Sequence, residues 1–332
     1  MQRSEERGEI ERISRGRLGK DKDGSGSGMS YDVIGDIHGQ AEKLFALLRK
    51  LGYTEHGSAW QPPQGRQAIF LGDLIDSGPG QVQVVQTVRA MIDPGNARSV
   101  MGNHEYNAIG YATRSRQEPE RFLREHSAKN RRQHAEFLRQ VGEGSRLHQE
   151  MVEWFRTLPP TLDLGGIRVV HAWWHPPYVE QVAGAFPTGV MPEDFLHAAY
   201  QPHSPAWDAM EGLTKGREIE LPPGFSFRDH TGVERHAVRT RWWHENPRSY
   251  RDVALLPDTT ALPDLELPPG YAGSPVEGTP VFIGHYWMSG PQRLQTPRLA
   301  CLDYSAARDG PLVAYRWDGE AELDPKNFVA AG

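Results

Sequence analysis

Three short stretches hold most of the side chains that could do chemistry: "GDIHG" at 35–39, "GDLIDSG" at 72–78 and "GNHE" at 102–105. Each follows a brief apolar run, so each sits where a strand would leave the core. They supply Asp36 and His38, then Asp73 and Asp76, then Asn103 and His104. Two later histidines stand in the same kind of place, His171 ending "RVVH" and His285 following "VFIG". Alone, a Gly-Asp at a strand end is ordinarily a turn or a helix cap, and a single histidine is ordinarily a hydrogen-bonded core residue. Taken as an ordered series, carboxylates, imidazoles and an amide oxygen are what a pair of divalent cations requires, with one anionic donor able to bridge both. That donor set suits manganese, iron or zinc better than calcium.

The elements that must position these residues follow from the pattern around them. "YDVIGD" reads as a buried strand, and "QAEKLFALLRKLGY" as a helix with Ala41, Leu44, Phe45, Leu48 and Leu51 on one face. "QAIFLGD" is a second strand, followed by a helix with Val82, Val85, Val88 and Ile92 at helical spacing; "RSVMGN" is a third strand. This alternation predicts an α/β layered fold of parallel strands, in which ligands gather beyond the carboxyl ends of the strands. Residues 113–158 read as charged surface helices. "TLDLGGIRVVHAWW" reads as a hairpin turning at Gly165-Gly166. Residues 172–278, rich in Pro, Gly, Trp and His, read as a loop-rich cap. "TPVFIGHYW" restores a buried strand, and "RLACLDYS" with "PLVAYRWDG" reads as a closing hairpin, leaving 321–332 as a C-terminal tail.

Bulk properties narrow the function classes. The chain has 332 residues, enough for one large domain with insertions. Its net charge of −6 offers no global basic field for nucleic acid or an anionic membrane. A single cysteine, Cys301, leaves no intrachain disulfide and suits a reducing compartment. No apolar run approaches the ~20 residues of a membrane span, and the N-terminus has no signal-peptide core. A cytoplasmic protein is the expectation. Residues 1–30, charged and then Gly/Ser-rich, read as a flexible tail, and Met29, directly before the ordered pattern, is an alternative start to Met1.

With these motifs assembled, the sequence resembles the calcineurin-like metallophosphoesterases, in the branch of serine/threonine phosphoprotein phosphatases and symmetrical diadenosine tetraphosphatases. The resemblance covers residues 31–112, 160–175 and 280–318. It implies a sandwich of two central sheets flanked by helices within a domain spanning 31–320, carrying the helical insert and the cap. It implies that Asp36 and His38 ligate one metal, that Asp73 bridges both, and that Asn103, His171 and His285 hold the second. His104 then corresponds to the general acid and Asp76 to the carboxylate that orients it. The implied reaction is in-line attack of metal-activated hydroxide on phosphorus without a phosphoenzyme, the cofactors being two divalent ions, manganese first, with iron or zinc as alternatives. Substrates would be a dinucleoside polyphosphate such as diadenosine tetraphosphate or, alternatively, a phosphoprotein. A catalytically inactive binding protein of the same fold is the third reading.

One departure bears on substrate. The family's second motif carries an arginine that clamps phosphate, and here that position is Ser77, which is short and uncharged. "AVRTRWWHENPR" offers Arg239, Arg241 and Trp242 as a replacement clamp and stacking platform, or as a packed aromatic anchor with solvated arginines. Trp173 and Trp174 read as packing under the cap, and Asp303 as a turn cap.

Overall fold

A computed structural model describes residues 29–57, 59–186, 189–228, 232–256, 258–260 and 262–332. Residues 1–28 of the expected tail, and His230, lie outside the described residues.

The strands in chain order are β1 (Ser30–Ile34), β2 (Thr54–His56), β3 (Ala59–Gln61), β4 (Arg66–Phe70), β5 (Ala97–Ser99), β6 (Thr161–Asp163), β7 (Arg168–Val170), β8 (Glu218–Glu220), β9 (Phe227–Arg228), β10 (Glu234–Arg235), β11 (Ala237–Arg239), β12 (Val281–Ile283), β13 (Leu299–Cys301), β14 (Leu312–Trp317) and β15 (Phe328–Ala331). Nine of them form two sheets, ordered β15-β14-β1-β4-β5 and β13-β12-β7-β6. Within the first, β1, β4 and β5 run parallel, and within the second so do β7, β12 and β13.

The period-two alternation of each strand explains the sandwich. Tyr31, Val33, Ile69, Val313 and Tyr315 point from the first sheet onto Val169, Phe282 and Ala300 of the second, forming an inter-sheet core. Their neighbours Ile34, Ala68, Phe70 and Ala314 point outward and are covered by helices. The Ala41–Lys50 helix buries Ala41, Leu44, Phe45 and Leu48 as its spacing predicts. The Gln81–Ile92 helix is rotated from expectation: Val84, Val85, Val88 and Met91 are buried, while Val82 and Ile92 are only half-buried.

Three expectations need correction. "RLACLDYS" and "PLVAYRWDG" do not pair as a hairpin, because β13 lies parallel to β12 in one sheet and β14 antiparallel to β1 in the other. The closing residues do not dangle as a tail, because β15 pairs with β14 as the edge of the five-stranded sheet. After the third strand, Asn103–Ala112 forms a helix buried along most of its length. The cap is also more regular than its Pro and Gly content suggests. It holds helices Pro176–Ala185, Glu193–Ala199, Pro205–Lys215 and Tyr250–Val253, plus the antiparallel ribbons β8–β11 and β9–β10. A prolyl residue is tolerated in a first helical turn, and the Ser204 hydroxyl accepts from Trp207 N at 3.1 Å to cap the third of these helices. The insert contributes helices Ala128–Val141 and Arg146–Phe155, each capped by a serine.

Candidate metal centre

Five strands from two sheets deliver their carboxyl ends to one place. β1 leads to Asp36 and His38, β4 to Asp73 and Asp76, β5 to Asn103 and His104, β7 to His171, and β12 to His285. All eight residues are buried. Four hold left-handed backbone angles that non-glycine residues rarely adopt: His38 (φ 49°), Asp73 (φ 49°), Asp76 (φ 66°) and His285 (φ 68°). Such strain persists where the surroundings over-determine it, and it concentrates at functional sites. Two glycines beside them leave no room for a side chain. Gly102 sits at φ −87°, which any residue can adopt, but a Cβ there would lie 2.3 Å from Asp73 Oδ1. A Cβ on Gly284 would lie 2.0 Å from Asp36 Oδ1. Close approach, rather than turning, fixes glycine at these two positions.

Asp73 is the hub. Its Oδ2 lies 3.3 Å from His171 Nε2, 3.6 Å from His38 Nε2 and 3.8 Å from His104 Nε2. Its Oδ1 accepts from the backbone N–H of His104 at 2.9 Å, at the first turn of the Asn103–Ala112 helix. Asn103 Oδ1 lies 3.1 Å from His171 Nε2 and 2.8 Å from His285 Nδ1. Two sets of donors, His38/Asp73/His104 and Asp73/His171/His285, have ligand atoms within 4.8 Å of one another and share Asp73. Asp36 stands beside them, its Oδ2 accepting from the His285 N–H at 2.9 Å.

The arrangement fits metal ions. Asp36 Oδ1, His38 Nε2 and His285 Nε2 are buried with no hydrogen-bond partner among the described residues, a costly state for polar atoms that nothing else satisfies. His38 and His171 direct their Nδ1 atoms at the Ile75 and Leu71 carbonyls, at 2.9 and 2.7 Å. A carbonyl only accepts, so these contacts keep the proton on Nδ1 and turn a bare Nε2 inward, as an imidazole ligand requires.

Electrostatics agree. Burial, with Asp303 next, pushes the Asp36 carboxyl well above its usual range. Burial and the Arg239 charge hold His285 well below its ordinary value. Burial pulls His171 down, but the charges of Asp73 and Asp36 outweigh it and raise the ring to about 10. At Asp36 and His171, protons are thus drawn to positions where cations belong. His104 differs: burial opposes its charge, yet Asp73 and the hydrogen bond from its Nδ1 to Asp76 Oδ2 (2.8 Å) raise it to about 9.

Of the proposed substrate residues, only Arg239 stays at the rim, its guanidinium 3.4 Å from the His285 carbonyl and 39% exposed. Arg241 is turned away, donating to the Asp252 carbonyl at 2.6 Å. Trp242 is 1% exposed, its indole N–H shared between the Ala172 carbonyl and Tyr286 Oη, so its faces are closed to a base. Trp173 and Trp174 are buried, as packing requires. Asp303 accepts from Trp287 N and Ser305 N at 2.7 and 2.9 Å, the turn role expected of it.

Sequence reasoning missed three contributors. Glu105 accepts from Asp73 N, Leu74 N and Gly102 N at 2.8, 2.8 and 3.0 Å, tying two ligand loops together. Its adjacency to His104 was the available signal. Trp287, 37% exposed, lies 6.4 Å from the His38 ring and carries the Arg308 guanidinium at 4.6 Å. His134, from the insert, contacts Asp76.

The fold and this donor set define a calcineurin-like phosphoesterase. That family's profile matches residues 29–256, and the chain belongs to the family. Over 76 residues it is 42% identical to the bis(5'-nucleosyl)-tetraphosphatase PrpE (asymmetrical) of Bacillus subtilis and 43% identical to that of Anoxybacillus flavithermus, the match covering 23% of this chain and 31% of each relative. The chain thus spans about a third of the length of these curated relatives. Among solved structures, a serine/threonine phosphatase of Saccharomyces cerevisiae aligns over 92% of this chain and 80% of its own, at 16% identity and a TM-score of 0.47. Among the described residues no helix is long and apolar enough to cross a membrane.

Proposed function

We propose that the chain is a metal-dependent phosphoester or phosphoanhydride hydrolase acting on a dinucleoside polyphosphate or related nucleotide. The observation that carries this reading is the cluster of buried, unpartnered donors around Asp73 with His104 at its edge. Asp36, His38 and Asp73 would hold one divalent ion, and Asp73, Asn103, His171 and His285 a second; manganese, iron or zinc suits these donors. When bound, such ions neutralise phosphoryl oxygens and make water a nucleophile near neutral pH.

The chain's own residues do the rest. Asp76 holds the proton on His104 Nδ1 and favours the imidazolium. His104 Nε2 then faces the reaction site, 3.8 Å from Asp73 Oδ2, and can give its proton to the departing oxygen. Arg239 and Arg308 place positive charge at the rim, in the role that Ser77 cannot fill. Trp287 beside Arg308 provides an aromatic surface suited to a nucleobase. The relatives named bis(5'-nucleosyl)-tetraphosphatase support the nucleotide over the phosphoprotein reading, although the matched stretch spans about a third of their length. Their name carries the qualifier asymmetrical, whereas the motifs resemble the symmetrical branch.

Turnover of diadenosine tetraphosphate against a phosphopeptide panel, with manganese-loaded protein, tests the proposal. Preference for the dinucleotide supports it, and preference for phosphopeptides replaces it. The nucleotide products identify which anhydride is cut.

A further inference from the structure

The helical insert reaches the site through one fully buried side chain. His134, on the Ala128–Val141 helix, directs Nδ1 to Asp76 Oδ1 at 2.7 Å, while His104 directs its own Nδ1 to Asp76 Oδ2 at 2.8 Å. An ionised carboxylate only accepts, so each imidazole presents an N–H and Asp76 is held by both its oxygens. Burial works against the Asp76 carboxylate, but the two histidines and their hydrogen bonds outweigh it and keep the carboxyl below its usual range.

From this bracketing we infer that His134 is a positioning residue, which locks Asp76 from behind so that Asp76 can aim His104. Three observations carry the inference. Asp76 has a left-handed backbone, φ 66°, at a loop position where its rotamer needs outside support. The same insert helix ties down the next link: Gln140 Oε1 accepts from Gln81 N at 2.9 Å, and Gln81 Oε1 accepts from Asp76 N at 2.7 Å. Finally, His134 packs against Tyr111 and Phe137, ring centroids 5.2 and 5.0 Å away, and leaves its Nε2 buried without a partner among the described residues. An apolar side chain would fill that packing site at less cost, so the Nδ1 contact is what histidine adds. The insert thereby becomes part of the catalytic apparatus rather than surface decoration.

The inference rests on His104 acting as general acid, and the test separates the two. Steady-state kinetics of the manganese-loaded full chain would compare an alkyl phosphate, glycerol phosphate, with p-nitrophenyl phosphate, whose leaving group needs no proton. His134→Leu is expected to lower kcat for the alkyl ester about 10- to 100-fold, as loss of an orienting partner typically does. KM should stay within about twofold, and p-nitrophenyl phosphate turnover within about threefold. His134→Asn, whose amide can donate toward Asp76, should recover most of the loss. In a His104→Asn background, His134→Leu should add nothing. Equal losses on both substrates, or an undiminished loss in that background, would overturn the positioning role. Equal losses for His104→Asn alone would overturn the acid reading itself, and the positioning role with it. Histidine ¹⁵N spectra of the unmodified zinc-loaded protein decide the geometry even if the leucine variant fails to fold. Protonated Nδ1 on both His104 and His134 is expected, and a His134 protonated at Nε2 alone would refute the arrangement.

Discussion

Asp32 and Asp36 lie four positions apart on one stretch of chain, both buried, and the protein treats them in opposite ways. Asp32, within β1, is surrounded by donors: Arg66 reaches it with Nε and Nη2 at 3.1 and 2.9 Å, and Arg316 with Nε at 3.0 Å. Its charge is matched by two guanidiniums, and one of them also ties Asp318 to the cluster. Asp36, just past the strand's carboxyl end, has Oδ1 unpartnered and other carboxylates nearby. Within the strand, buried charge is settled by side chains of the two neighbouring strands, β4 and β14, of the same sheet. Past its end it is left unsettled, which a protein tolerates where a cation completes the structure.

Breaking each end should therefore have different consequences. Asp73→Asn removes the shared donor, and turnover should fall on the order of 10³-fold, comparable to losing a key electrostatic partner of a transition state. Metal binding should be lost with it, and the pH dependence that His104 and His171 owe to Asp73 should shrink. A large fall in melting temperature with metal retained would show that the two ends are not different in kind. His104→Asn comes next: about 10²-fold or more on an alkyl phosphate, far less on p-nitrophenyl phosphate.

Asp32→Asn should do the reverse of Asp73→Asn. It leaves two arginines facing an uncharged amide and should cost about 3 kcal/mol of stability, read by denaturant titration, while activity per folded molecule stays put. A subtler effect concerns pH. His104 and His171 are raised from 6.5 to about 9 and about 10 in the absence of metal, chiefly because neighbouring aspartates outweigh burial. The folded, metal-free chain then binds more protons than the unfolded one across this window. The stability these groups contribute is complete below 6.5 and is lost as pH rises toward 10. Melting temperatures of metal-free protein should decline over that range, and bound metal should flatten the trend. A rise instead would contradict the proton-for-cation exchange. Smallest of all, Trp287→Ala should raise KM for diadenosine tetraphosphate several-fold, about 1 kcal/mol of aromatic contact, and leave p-nitrophenyl phosphate unaffected.

Much of the metal end was legible beforehand because strand-end motifs are local. Asp36, His38, Asp73, Asn103, His171 and His285 each follow a short apolar run, and parallel strands carry such ends to one edge. What stayed hidden depended on tertiary placement. Nothing in "RLACLDYS" or "PLVAYRWDG" reveals that their strands belong to opposite sheets, and β15 has too weak an alternation to announce itself. Trp242 stayed open between two readings, because a tryptophan beside arginines looks alike whether it stacks on a ligand or packs under a cap. His134 was invisible for a related reason: within "NRRQHAEF" it looks like one more polar residue on a solvated helix, and only the docked insert turns it toward Asp76.

The central claim is that Asp73 is shared between two cations. Manganese titration of metal-free protein, read by electron paramagnetic resonance, addresses it directly. Two ions per chain with an exchange-coupled spectrum, collapsing in Asp73→Asn but intact in Asp32→Asn, is the expected result. One ion per chain, or two that remain magnetically isolated, would contradict it.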